Sequence, residues 1–381
     1  IQAISASRLF DGNSWLEDHA LLVEGEHIAA VLPLAEVPTD APTTDLGDMT
    51  LAAGLIDIQV NGGGGVMFNN DPSADGLATI TSAHRQYGTT AIMPTVISDT
   101  AAVQQTAANA VSDAQARGAA GVLGLHLEGP HFDPGRRGTH KAEMIRPPTE
   151  SDMDWLCSLQ DYPTIITLAP EHTTPGQVRR LTDAGLMVCA GHTNADYQQV
   201  SAAIAEGLRG FTHLFNAMSP LQSRAPGTVG AALDSADTWA GIIADGHHVH
   251  PAGIRLAHRA KHKGKLILVS DAMSTVGGPD SFEIYGERIE VEDGRLINAE
   301  GNLAGSAIAL IDAVRTAHEE AGLDLGECLC MASRYPAEFL GLGSRLGRLA
   351  AGFRADIFAF DRNFKVSDTW VAGEHQTHDA S

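Results

Sequence analysis

Apolar runs recur along the middle of the chain at spacings that fit alternating strands and helices. The β-rich runs span residues 54–60, 90–97, 122–128, 165–170, 186–191, 210–213, 240–245 and 266–271. Most of the intervening segments are helix-sized and amphipathic, as in 101–117 and 194–206. Eight such alternations predict an α/β fold, a (β/α)8 TIM-like barrel, with the helix of the last strand near 306–321. An open doubly wound sheet is the alternative. It would want a nucleotide-binding turn after the first strand, and the glycines at 62–65 lack a G-x-G-x-x-G pattern leading into a helix. Both chain ends read differently. Residues 1–50 and 347–373 show short alternating strands punctuated by Gly and Asp, too few at either end to stand alone. They are expected to pair into one small β-sandwich domain (1–50 and 347–381) beside a catalytic barrel of 51–346. The stretch after Gly373, EHQTHDAS, reads as disordered, with solvated histidines.

Polar residues at the ends of the apolar runs carry the chemistry. The run VLGLHLEGP ends on Glu128 immediately before Gly129-Pro130. A carboxylate closing an apolar strand costs several kcal/mol unless it is paired, hydrogen-bonded or on a metal. His192 and His213 each close an apolar run in matching positions. One carboxylate and two imidazoles suit a zinc-type divalent ion with an open position for water. A lone histidine is usually structural; two at consecutive strand ends are harder to read that way. Asp271 closes LILVSDAM. It reads as a helix cap or salt-bridge acid or, at a barrel rim, as the base facing a metal-activated water. Asn216 and Arg224 lie in a Gly/Pro-bounded loop able to hold an oxyanion or phosphate. Pairing with a surface acid accounts for Arg224 equally well. In ADGHHVHP, one of His247, His248 and His250 can reach a pocket, since neighbours on a short turn point apart.

Composition narrows the partners. With 25 Lys and Arg against 47 Asp and Glu, the net charge of the 381 residues is −22. That argues against nucleic acid or an anionic membrane, while a local Arg/His pocket can still take an anionic small molecule. The four cysteines sit among apolar neighbours and read as buried thiols in a reducing compartment. No apolar run reaches 18 residues and no signal-peptide pattern is visible, so the cytoplasm is the expected location.

Taken together, AAGLIDIQVNGGGG, GLHLEGPHFDPGRRGTH, AGHTNADY, FTHLFNAMSPLQSRAPGTVG, IIADGHHVHP, LVSDAMSTVG, GNLAGSAIAL and GRLAAGFRADIFAFD resemble the amidohydrolase superfamily, and within it the N-acetylglucosamine-6-phosphate deacetylase family. The motifs run in that family's order from about residue 51 to 361. The resemblance implies hydrolysis of the acetamide of a 6-phosphorylated N-acetylhexosamine, with an N-acetylgalactosamine 6-phosphate preference as the alternative. It implies Glu128, His192 and His213 as metal ligands, Asp271 as general base and then acid, and His140 as the group polarising the acetamide carbonyl. It further implies Asn216, Ala217 through its backbone, and His248 as sugar or phosphate contacts. Arg224 resembles an arginine that reaches a neighbouring subunit's phosphate, implying a homodimer or homotetramer. Where many superfamily members carry H-x-H and two metals, this chain has Gln59-Val60-Asn61. One tightly held ion is therefore expected, zinc first, with iron, cobalt or manganese as alternatives; a weak second ion near Gln59 and Asn61 stays open.

Overall fold

The computed structural model describes residues 1–378; the end of the tail, 379–381, lies outside the described residues. Eight parallel strands form one sheet in strict sequence order. They are β1 (Leu55–Val60), β2 (Thr89–Ile97), β3 (Leu125–Glu128), β4 (Thr164–Leu168), β5 (Met187–Ala190), β6 (Gly210–Phe211), β7 (Trp239–Ile243) and β8 (Leu266–Val269). The sheet curls until its edges meet: the Asp271 N–H donates to the Gln59 carbonyl at 3.0 Å, and Val60 bridges to Ala272 just beyond β8. The result is the expected α/β barrel. Every residue of these strands is buried, which is why they read as continuous apolar runs rather than alternating ones.

Helices Ala74–Arg85, Ala101–Ala116 and Tyr197–Ala205 pack their apolar faces outside the sheet. Their N-termini are fixed by side-chain caps from Ser73, Thr100 and Asp196, and Asp196 forms a reciprocal capping box with Gln199. The last barrel helix, Leu310–Glu319, falls inside the expected 306–321.

The chain ends build further sheets. A six-stranded sheet runs Glu374–Thr377, Val366–Val371, Ile357–Phe360, Thr50–Ala53, Arg8–Phe10, Trp15–Glu17. A four-stranded sheet of His27–Pro33, His19–Glu24, Gln2–Ser5 and Thr43–Asp45 shares an apolar layer with it, including Ile4, Leu21, Leu51, Ile357 and Trp370. The expectation of a disordered tail is corrected over its first part. Residues Glu374–Thr377 pair with Val366–Val371, His375 stacks on Trp370 and contacts Asp368, and His378 bonds Thr369.

A second difference matters for function. Between β8 and its helix lies an antiparallel sheet of Ser281–Ile284, Glu287–Glu292, Arg295–Ile297 and Leu303–Ser306, with its own apolar cluster. Its Tyr285-Gly286 and Asp293-Gly294 turns, both residues at positive φ, have hairpin chemistry. The sheet leans over the barrel mouth.

Close packing where β3 begins gives a stability test. A Cβ added at Gly124 would lie 1.9 Å from the Pro163 carbonyl oxygen, a backbone atom that cannot swing away. Gly124→Ala is expected to lower stability by about 1–3 kcal/mol, read as a lower urea midpoint; an unmoved midpoint contradicts this packing.

Candidate active site

The carboxyl ends of the strands ring one cavity of about 400 Å³. Glu128 closes β3; His192, His213 and Asp271 each stand two residues beyond β5, β6 and β8. All four are buried, and His192, His213 and Asp271 have positive φ (50°, 37° and 53°). Left-handed backbone at three non-glycine residues of one site is a concentration of local strain where the side chains must turn inward.

Glu128 Oε1 lies 3.1 Å from His192 Nε2 and 3.0 Å from His213 Nε2, and the two imidazole nitrogens are 3.0 Å apart. Burial pushes the Glu128 carboxyl up, but its close contacts with the His192 and His213 imidazoles outweigh it and hold it well below the ordinary carboxylate range. His213 is also subject to burial, yet its bond to Glu128 wins and raises it. His192 moves down, because burial prevails there. His192 Nδ1 donates to the Arg136 carbonyl at 2.8 Å, leaving its Nε2 lone pair to face the cluster. His213 Nδ1 has no such partner.

His140 reaches the same cluster, with a ring nitrogen within 4.8 Å of ligand atoms of Glu128 and His192. The Ser98 N–H donates to His140 Nδ1 at 3.1 Å. Nδ1 is therefore an acceptor, and the neutral ring carries its proton on Nε2. Burial, and then the His192 charge, hold His140 well below the usual imidazole range, so it stays neutral. Asp271 is raised to about 7, first by burial and then by the Glu128 charge. His248 Nδ1 donates to Asp245 Oδ2 at 2.6 Å, which leaves Nε2 for the cavity.

Gln59 and Asn61 each bond a carboxylate of the site. Gln59 Nε2 donates to Glu128 Oε2 at 3.1 Å, and Asn61 Nδ2 to Asp271 Oδ1 at 2.7 Å. Each amide caps one carboxylate of the site.

The comparisons agree with this architecture. Residues 50–375 match the amidohydrolase family, and residues 2–51 match the NagA composite domain. The chain belongs to the amidohydrolase family. An N-acetylgalactosamine-6-phosphate deacetylase of Shewanella sp. (strain ANA-3) is 46% identical over 89% of this chain and 86% of its own length. An N-acetylglucosamine-6-phosphate deacetylase of Haemophilus influenzae is 36% identical over 94% and 95%. The crystal structure of N-acetylglucosamine-6-phosphate deacetylase from Pasteurella multocida superposes with a TM-score of 0.96 at 37% identity, covering 99% of this chain and 100% of that one.

Amidohydrolases typically use a divalent metal, and the donor set here fits one. Three ligand atoms stand 3.0–3.1 Å from one another, two of them imidazole nitrogens facing each other in a buried place. Tetrahedral ligands about 2.0–2.2 Å from an ion stand at comparable mutual separations.

Of the residues singled out from sequence, Glu128, His140, His192, His213, Asn216, Ala217, His248 and Asp271 all line the cavity. Arg224 does not; it is exposed on the 220–226 loop. Among the three neighbouring histidines, His248 is the one lining the cavity. Sequence reasoning missed Ser98, which fixes the His140 tautomer. It also missed Arg136 and the Gly301–Leu303 turn of the inserted sheet, which wall the cavity. Of these, Arg136 left a signal as a cation two residues from the motif's Gly138, and the turn lies in the family-like stretch GNLAGSAIAL.

No helix among the described residues is long and apolar enough to cross a membrane. A thermal-shift measurement checks the ligand set without relying on activity. Excess Zn²⁺ added to metal-stripped protein should raise the melting temperature, by about 2.7 kcal/mol of stabilisation at 100 times the dissociation constant. Glu128→Gln should remove most of that rise; an equal rise in the variant contradicts the ligand assignment.

Proposed function

We propose that this chain is a metal-dependent deacetylase that hydrolyses the acetamide of N-acetyl-D-glucosamine 6-phosphate to D-glucosamine 6-phosphate and acetate. The observation that carries the reading is the convergence of Glu128, His192, His213, His140 and Asp271 on one cavity in a chain of this family. The relatives' names support a phosphorylated amino sugar as substrate. N-acetylgalactosamine 6-phosphate is the second reading, favoured by the 46% identity to the Shewanella enzyme.

Glu128, His192 and His213 would hold one divalent ion, zinc first from the donor types, with iron, cobalt or manganese also accommodated. When bound, the ion supplies Lewis acidity, polarising the acetamide oxygen and bringing a water's pKa to about 7. Asp271 accepts the proton of the attacking water and later delivers it to the departing amine nitrogen. Asn61 steadies Asp271 for both transfers through its 2.7 Å bond. His140, neutral and protonated on Nε2, donates to the oxygen that becomes negative during attack, and Ser98 keeps it in that tautomer. His248 offers its free Nε2 to a hydroxyl of the sugar phosphate. Asn216 and the Ala217 N–H, which donates to nothing among the described residues, join it. Ala217 holds φ 50°, so its amide is turned out of the ladder. Arg224, exposed beside the 56%-exposed Leu221, suits a contact between two copies and would reach the partner's phosphate in a homodimer or homotetramer.

Acetate release from the two phosphorylated sugars, at matched metal loading, tests the reading and ranks the epimers. Turnover of neither contradicts it. Asp271→Asn should lower kcat by about 10²-fold or more while sparing KM. Unchanged kcat removes Asp271 from its role. The pH dependence has a definite sign. Asp271 works only as the carboxylate, so activity is lost as pH falls through its pKa. A bound cation opposes the burial and the Glu128 charge that raise it to about 7, so the acidic limb should lie at or below about 7. A limb well above that value contradicts the assignment.

A further inference from the structure

The cavity contains a cation that the reading above leaves unused. Among the described residues, Arg136 is the single Arg or Lys lining it, in a chain of net charge −22. Its neighbour Arg137 is neutralised: Arg137 Nη2 donates to both carboxylate oxygens of Glu300, at 2.6 and 2.7 Å, and Nη1 donates to the His140 carbonyl. Arg136 is anchored differently. Its Nε donates at 2.6 Å to the amide oxygen of Asn194, a neutral acceptor, and its two terminal nitrogens bond nothing among the described residues. A neutral anchor fixes the guanidinium's direction and leaves its charge available.

The anchor is itself tightly held. Asn194 Nδ2 donates to Asp133 Oδ1 at 3.0 Å, so its oxygen must face Arg136, and the Asn194 N–H donates to Glu171 Oε1 at 2.6 Å. The nearby acids are committed elsewhere. Asp133 also takes His172 and the Gly135 N–H, and Glu171 takes the Thr193 hydroxyl. Asn194 follows directly on Thr193, whose N–H donates to the Ala217 carbonyl at 3.0 Å and which bridges to Met218. Arg136 and the unpaired Ala217 amide thus line the same cavity, on segments tied together through Thr193 and Asn194. A planar guanidinium with two open nitrogens lining one cavity with an outward amide is a combination suited to phosphate oxygens.

We propose that Arg136 is the chain's own cation for the substrate phosphate, and that it sets the preference for phosphorylated over unphosphorylated N-acetylhexosamine. The proposal rests on the deacetylase reading above. It makes Arg136 a specificity-determining residue, distinct from the backbone carbonyl of the same residue that orients His192.

The test compares wild type, Arg136→Ala and Arg136→Lys, each with its metal content measured, on N-acetylglucosamine with and without the 6-phosphate. Inorganic phosphate binding is followed by calorimetry alongside. In Arg136→Ala the ratio of kcat/KM for the phosphorylated over the unphosphorylated sugar should fall about tenfold or more. The loss should lie mainly in KM for the phosphorylated sugar, and phosphate binding should weaken in step. Arg136→Lys, which keeps the charge and loses the fork, should recover part of the ratio. A ratio equal to wild type's in Arg136→Ala overturns the proposal, because a merely structural arginine would lower both rates together. Should wild type release acetate from no phosphorylated sugar, the deacetylase reading fails, and the phosphate titration alone decides for Arg136: weaker binding in the alanine variant upholds the anion site, equal binding overturns it.

Discussion

A carboxylate 2% exposed inside a barrel of apolar strands has to be neutralised where it stands, and Glu128 meets two imidazole nitrogens at 3.0 and 3.1 Å from a single oxygen. Burying such a charge alone costs several kcal/mol. The cluster must contain compensating positive charge, from protons or from a metal ion. The barrel is the scaffold that makes this enforceable. Its strands deliver Glu128 from β3, His192 from beyond β5 and His213 from beyond β6 to one level of the rim, and the closure of β1 against the chain after β8 brings Asp271 and its Asn61 partner to the same place. Because imidazoles ligate a metal only in their neutral form, ion affinity and pH are linked here.

Around that centre, each working side chain is oriented by a neighbour with no chemical part of its own. Ser98 fixes the tautomer of His140, Asp245 turns His248, the Arg136 carbonyl aligns His192, and Asn61 holds Asp271. Gln59 caps the remaining oxygen of Glu128. Two neutral amides thus hold the two carboxylates of the site.

Much of this was legible before any coordinates. Fully buried parallel strands leave long apolar runs, so the eight strands could be read almost to the residue, and Glu128, His192, His213 and Asp271 stood out as polar residues closing them. Recognising His140 and Ala217, and choosing His248 among its neighbours, needed the family resemblance, because a histidine in a loop between Thr139 and Lys141 has no periodicity to mark it. The four-stranded sheet before Leu310–Glu319 escaped notice because its short strands interrupt the βα rhythm, although its Asp293-Gly294 turn was visible. The strand Glu374–Thr377 is exposed along its whole length and paired at a sheet edge, so its polar sequence resembled a free tail. Arg136 and Arg137 look alike in sequence; only the contrast between an Asn194 and a Glu300 partner, both distant in the chain, separates them.

The most direct measurement is anomalous diffraction at the absorption edge of the metal that co-purifies with the protein. One strong peak per chain, within bonding distance of Glu128, His192 and His213 together, is the predicted result. A peak elsewhere, two peaks of equal strength with one against Gln59 and Asn61, or those three side chains bound to nothing in a protein that still turns over, would contradict the account.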